Sequence, residues 1–258
     1  MNSLLLRLDK IISSQLGLSR RQVRLFCRQG RVKVDGRPVL SCEQKVDPST
    51  QEVTVDGRPL AYRAFVYLML HKPAGILSAS RDPSRPTVVD LAPEEFAHRP
   101  LFPVGRLDRD TTGLLLLTDD GETAHCLLSP RRHVPKVYEA LLDAPLPADA
   151  VQAFAQGITL ADGSICRPCE LRVISAGDKP VVRLVLTEGM YHQIKRMFGV
   201  LGLGVDALRR VAMGPLVLDS ALAPGQCREL TGKERELLLA AAQGSSIQGN
   251  SLFNAGSR

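Results

Sequence analysis

No apolar run in this chain of 258 residues approaches the roughly 20 residues that a membrane-crossing helix needs. No transmembrane segment is therefore expected. The opening stretch, Met1 to Lys10, has a short apolar patch. It lacks a basic region ahead of that patch and a small-residue cleavage site, so no signal peptide is expected. No glycine-rich dinucleotide loop follows a strand, and no phosphate-cradling loop is present. Six cysteines are scattered at 27, 42, 126, 166, 169 and 227, and only Cys166-Arg167-Pro168-Cys169 has metal or redox spacing. A structural zinc needs a second ligand pair, and none lies nearby. Reduced thiols in a cytoplasmic protein are the simpler account. Neither a metal nor a cofactor is expected.

The 44% hydrophobic content is ordinary for a chain that buries a core in one large domain or two smaller ones. The net charge of +6 and pI near 9.1 favour a polyanionic partner.

Residues 1–60 read as a separate small module. Leu4, Leu8, Ile11, Ile12 and Leu16 repeat at helical spacing, and Gly17 ends that helix. Ser19-Arg20-Arg21-Gln22 fits a capping box that opens a second helix, with Gly30 as its stop. Val32–Val34 and Val53–Val55 read as short strands, each followed by an Asp-Gly turn signal. Arg20, Arg24 and Arg28 recur every four residues on the second helix with no acid between them. Such a stripe is tolerable when solvated and useful when it meets phosphates. Arg7, Lys10, Arg21, Arg31 and Lys33 back it, which favours RNA contact.

Residues 61–243 form the larger expected domain. Strands are expected at Val66–Leu70, Leu114–Leu117, Val137–Leu142, Val181–Thr187 and Leu216–Leu218. Helices are expected at Glu122–Leu128, Pro147–Gln156, Tyr191–Leu201 and Thr231–Ala242, the last opened by a Thr231/Glu234 capping box. Many short strands with sparse helices indicate an α+β fold with a mainly antiparallel sheet. The tail, 244–258, is rich in Gly, Ser and Asn and is expected to be disordered.

The chemistry concentrates in Gly105-Arg106-Leu107-Asp108-Arg109-Asp110-Thr111-Thr112-Gly113. This is a loop running into the buried strand Leu114–Leu117. Asp108, flanked by Arg106 and Arg109, should stay ionised beside those cations. With no evident second acid it is a candidate nucleophile. The same pattern also describes a structural Asp paired with Arg, and spacing alone favours that reading. Asp119-Asp120 sits at a strand-end turn, where adjacent residues seldom both ligate a metal.

Further segments change the odds. The loop resembles the signature of the pseudouridine synthases, which convert uridine in RNA into its C-glycoside isomer. Val134-Pro135-Lys136-Val137-Tyr138 resembles the family's Lys-x-Tyr strand. Arg183 to Phe198, with Tyr191-His192-Gln193-Ile194-Lys195-Arg196-Met197-Phe198, resembles its third motif. Met69-Leu70-His71-Lys72-Pro73-Ala74-Gly75 resembles its first, with His in place of Asn. The likeness spans about residues 3 to 240, and the third motif is similar to that of the RsuA type, which acts on small-subunit rRNA. The N-terminal module resembles an S-four-like RNA-binding domain.

That resemblance implies a small α-β RNA-binding domain followed by a catalytic domain with a mainly antiparallel mixed sheet. It implies Asp108 as the nucleophile, Lys195 as the cation paired with it, and Tyr138 as the ring packed on the uracil. Arg106 would fill the space vacated by a flipped base, and Arg7, Arg20, Arg24, Arg28 and Arg196 would contact RNA. His192 lies three residues before Lys195, where it either faces the site or serves structure. The implied substrate is 16S rRNA in an assembling small-subunit particle, at uridine 516, with the protein acting as a cytoplasmic monomer. The alternatives are a 23S rRNA target or a non-catalytic rRNA-binding assembly factor. A glycosidase would need two carboxylates flanking the bond, and only Asp108 has that setting.

Overall fold

The computed structural model describes residues 5–129 and 131–244. The expected disordered tail, apart from Gly244, lies outside the described residues. The chain forms two compact units, one of residues 1–65 with 94–100, the other of 66–93 with 101–258.

In the first unit β1 (Leu6–Arg7) leads into α1 (Leu8–Leu16) and α2 (Arg20–Arg28). The capping box at Ser19 and Gln22 is present, as the spacing predicts. Gly17 (φ 65°) ends α1 and Gly30 (φ 69°) follows α2, both in the left-handed region that suits glycine. Five short strands follow: β2 (Val32–Val34), β3 (Arg37–Pro38), β4 (Lys45–Val46), β5 (Val53–Val55) and β6 (Arg58–Pro59). They pair in the order β3-β2-β5-β6, with β1 on β4. Both Asp-Gly pairs adopt positive φ at each residue, which is type I′ geometry (51° and 76° at Asp35-Gly36, 52° and 74° at Asp56-Gly57). Leu8, Ile11, Ile12, Val23, Cys27 and Val32 are the centre of the core. Arg99 ties residues 94–100 into this unit by donating to the carbonyls of Ser14 and Ala64.

The second unit is built on one sheet. Its strands are β7 (Tyr67–Lys72), β8 (Phe102–Pro103), β9 (Thr112–Thr118), β10 (Lys136–Leu142), β11 (Glu170–Ser175), β12 (Val181–Leu186), β13 (Val205–Met213), β14 (Leu216–Val217) and β15 (Cys227–Glu229). The order is β11-β12-β10-β13-β9-β7-β15, with β14 on β13 and β8 on β9. Every pairing is antiparallel except β13 with β9. The helices are α3 (Gly121–Leu128), α4 (Ala150–Gln156), α5 (Gln193–Val200) and α6 (Gly232–Gln243). Met69, Leu114, Leu116, Leu127 and Leu238 are among the side chains of a core that joins the sheet to α3 and α6. Full burial of one such side chain contributes about 1.5–3 kcal/mol.

Two differences from the sequence expectation bear on the site. The central strand β13 was not foreseen. Its charged residues Asp206, Arg209 and Arg210 interrupt any apolar run, yet it lies between β10 and β9 and is buried from Arg210 to Met213. Helix α5 begins two residues later than the periodicity predicts, because His192 takes a left-handed conformation (φ 47°, ψ 35°) and cannot continue a right-handed helix.

Candidate active site

The loop from Gly105 to Thr111 is fastened to its surroundings by backbone and buried polar contacts. Ser78 Oγ donates to the Leu107 carbonyl at 2.8 Å and accepts from the Leu107 N–H at 3.1 Å. The Gly75 N–H donates to the Arg109 carbonyl at 2.7 Å, and Arg109 Nε donates to the Gly75 carbonyl at 3.2 Å. Beneath the loop the wholly buried Lys72 donates to three carbonyls, those of Pro73 (3.0 Å), Arg109 (3.2 Å) and Thr111 (2.9 Å). Burial pushes the Lys72 ammonium down to about 8, against the opposing pull of the Asp110 and Asp108 carboxylates. At the loop's far end Gly113 lets β13 approach. A Cβ there would sit 2.2 Å from the Arg210 carbonyl oxygen.

Asp108 is thus held on a rigid loop with its side chain about a third exposed. Its neighbour is the His192 imidazole, with Nε2 3.5 Å from Oδ1. The flanking arginines do not supply that neighbour. Arg109 turns to Gly75 and Arg106 is exposed. Lys195 also departs from the expected pairing with Asp108: its Nζ bonds Asp110 instead. Asp108 and Asp110 stand two residues apart on one loop, and Asp110 is the carboxylate that reaches the Lys195 side of α5. The Lys195 hydrogen bond holds the Asp110 carboxyl below the usual carboxylate range. Asp110 therefore stays ionised beside Lys195.

Tyr138 is buried on β10, in register with Leu184 of β12 and Arg210 of β13. Arg210 is in turn opposite Gly113 of β9. Tyr138 is thus two strand spacings, roughly 10 Å, from the strand that Asp108 leads into. Arg210 is buried, and its Nε donates to the Leu114 carbonyl at 2.8 Å. Lys136, two residues before Tyr138, is pushed down to about 8 by burial and by the Arg210 charge. Of the other expected RNA contacts in this unit, Arg196 is engaged with Asp162 at 2.5 Å. In the first unit Arg20, Arg24 and Arg28 are exposed, whereas Arg7 is taken by Asp9 (2.8 Å) and Glu43 (3.3 Å).

Lys72 and Arg210 are the residues that reading the sequence missed. Lys72 stands in the Met69–Gly75 motif, but only its burial reveals its work. Arg210 lies on the unforeseen strand. Three side chains of doubtful role in the sequence have structural settings. Asp120 caps α3 and accepts the Tyr67 hydroxyl at 2.5 Å. Cys166 and Cys169 are buried thiols, the latter pushed up to about 12 by burial.

Comparison with known proteins decides the family. Residues 66–199 match the model of the RNA pseudouridylate synthases, and residues 6–52 match the S4 domain. The chain belongs to the RNA pseudouridine synthase family. It is 46% identical over 236 residues to an uncharacterized RNA pseudouridine synthase, YtzG, of Bacillus subtilis, covering 90% of this chain and 98% of that protein. It is 42% identical over 231 residues to ribosomal small subunit pseudouridine synthase A of Escherichia coli K12, covering 89% and 98%. A crystal structure of a pseudouridylate synthase superposes with a TM-score of 0.63 at 37% identity, covering 90% of this chain and 99% of that one. The α+β catalytic sheet preceded by an S4 domain is the architecture of this pseudouridine synthase, an isomerase.

Proposed function

We propose that this pseudouridine synthase isomerises one uridine of small-subunit rRNA, with Asp108 as the group that acts at the sugar–base bond. The reaction breaks the bond from C1′ to N1 and forms one from C1′ to C5. A proton leaves C5 and one is gained at N1, so the balance needs no oxidant and no cofactor. The observation that carries the reading is the setting of Asp108: a part-exposed carboxylate on a loop fixed from below by Lys72, within a domain of this family. Tyr138 supplies a ring for the uracil and a hydroxyl for proton exchange. Lys195 acts on the site through Asp110. The target base is buried in folded RNA and must be flipped out, and Arg106, exposed on the same loop, fills the space it leaves.

The relatives named as small-subunit enzymes, at 42% identity over nearly their whole length, favour 16S rRNA over 23S. We place the protein in the cytoplasm, as a monomer acting on an assembling small-subunit particle, with uridine 516 as the first position to examine. Among the described residues no helix is long and apolar enough to cross a membrane. The deciding experiment maps pseudouridine in both rRNAs from cells with and without the protein. Loss of one small-subunit pseudouridine is expected. Loss confined to 23S rRNA moves the target, and no loss anywhere favours a binding factor.

A further inference from the structure

Tyr191 is the most exposed of the large apolar side chains among the described residues, at 76%. It is nevertheless held in place. One face of its ring lies on the His192 imidazole, with centroids 3.9 Å apart and planes 16° from parallel. His192 in turn stands 3.5 Å from Asp108. The backbone beneath this stack is fixed on both sides. The buried Gln193 donates to Glu188 at 2.6 Å and accepts from the Met190 N–H at 3.0 Å, and Arg196 reaches the Tyr191 carbonyl at 3.4 Å. His192 adopts its left-handed conformation without being glycine, a backbone state that costs free energy unless the surroundings impose it. The result is an aromatic face backed by the His192 ring, exposed on its outer side and one ring away from the Asp108 carboxylate.

We propose that Tyr191 is a stacking platform for an unpaired nucleobase of the RNA, the one adjoining the target uridine. This rests on the reading of Asp108 as the reacting carboxylate. A nucleotide delivered to Asp108 drags its chain neighbours past the same loop. A base laid on the free face of Tyr191 would continue the Tyr191–His192 stack by roughly 3.4 Å, the rise of one stacked nucleotide. Every base presents a π face, so the platform fixes the position of the flanking nucleotide without reading its identity. An amphipathic ring with two rotatable angles loses little freedom on binding, and here its partner ring has already ordered it.

The test uses the full-length protein and a synthetic hairpin of the rRNA around the mapped uridine. 2-Aminopurine replaces the nucleotide on its 5′ side in one RNA and on its 3′ side in another. The wild type should quench one of the two probes. Tyr191→Ala should abolish that quenching and weaken binding by about five- to 150-fold, the equivalent of one base–aromatic stack. The loss should appear in Kd. Tyr191→Phe should restore both quenching and affinity. Should the Ala protein misfold, Tyr191→Leu takes its place, keeping bulk without a π face. Unchanged quenching and Kd in the Ala or Leu variant would overturn the platform, as would a Phe variant no better than Ala. A wild type that quenches and binds but makes no pseudouridine defeats the assignment of function and leaves the platform standing.

Discussion

Lys72 Nζ lies wholly buried and donates a 2.9 Å hydrogen bond to the carbonyl of Thr111, three residues after Asp108. With the Arg109 and Pro73 carbonyls it completes a three-acceptor cradle under the loop. Lys72→Met keeps most of the volume and leaves these carbonyls without their donor. Each buried group so stranded costs about 1–3 kcal/mol, offset in part because a desolvated cation is removed. Urea unfolding at pH 7 should show a net loss within that range, and the single-turnover rate should fall with it. A variant as stable and as fast as the wild type would mean that the cradle does not hold the loop.

The same lysine gives stability a pH dependence of known sign. Its folded pKa of about 8 lies below its ordinary value of 10.5, so between them the unfolded chain binds more protons than the folded one. Stability therefore rises with pH in that window. From pH 8 to 9 the wild type should gain about 1 kcal/mol from Lys72, and Lys136, also near 8, should add a similar amount. Above pH 9 the buried thiol of Cys169 and the part-buried thiol of Cys227, pushed up to about 12, act in the opposite direction. The gap between wild type and Lys72→Met should change across pH 8 to 9, with the wild type gaining on the variant. A constant gap would show that the Lys72 ammonium is not destabilised by burial.

Asp108→Asn preserves shape and removes the charge. RNA binding by this variant should match the wild type, and pseudouridine formation should vanish. Turnover that persists after deamidation back to Asp has been excluded by mass spectrometry would remove Asp108 from the mechanism.

Much of this site is legible in the sequence. The apolar runs of β7, β9, β10 and β12 mark buried strands, and the capping and turn signals at Ser19, Thr231 and the Asp-Gly pairs appear as written. The remainder depends on tertiary packing. β13 hides because Arg210 is charged in sequence yet buried in the sheet, where β9 and β10 satisfy its backbone. The partner of Lys195 hides because two aspartates stand two positions apart on one loop, and only the loop's path selects Asp110. The three-residue spacing of His192 from Lys195 allows it to face the site, but the left-handed backbone that sets it beside Asp108 is not written in that spacing.

Lys195 and Asp110 form an ion pair whose acid is mostly exposed. Such pairs contribute about 0–1 kcal/mol to stability. A double-mutant cycle of Lys195→Met and Asp110→Asn should therefore give a small coupling in unfolding and a large one in rate, with the double variant no slower than the worse single. In Lys195→Met the Asp110 pKa should rise, because the bond that lowers it is gone. The acid limb of any Asp110-dependent rate then moves to higher pH. Additive rate losses would show that the two side chains act independently.

In the first unit Arg20, Arg24 and Arg28 are exposed along one side of α2, and no carboxylate is paired with them among the described residues. Deleting residues 1–60 would be a poor probe, because residues 94–100 pack into this unit through Arg99 and would lose their support. Replacing the three arginines by alanine leaves the capping box and the core untouched. If each neutralises one phosphate, the log–log dependence of binding on salt should become shallower by about 0.7 per contact, roughly 2 in all. Affinity near physiological salt should fall, while the rate at saturating RNA should stay close to that of the wild type. The measurement is a titration of rRNA fragment binding from low to high salt for both proteins. An unchanged slope would mean that the stripe is a solvated face and that RNA is held elsewhere.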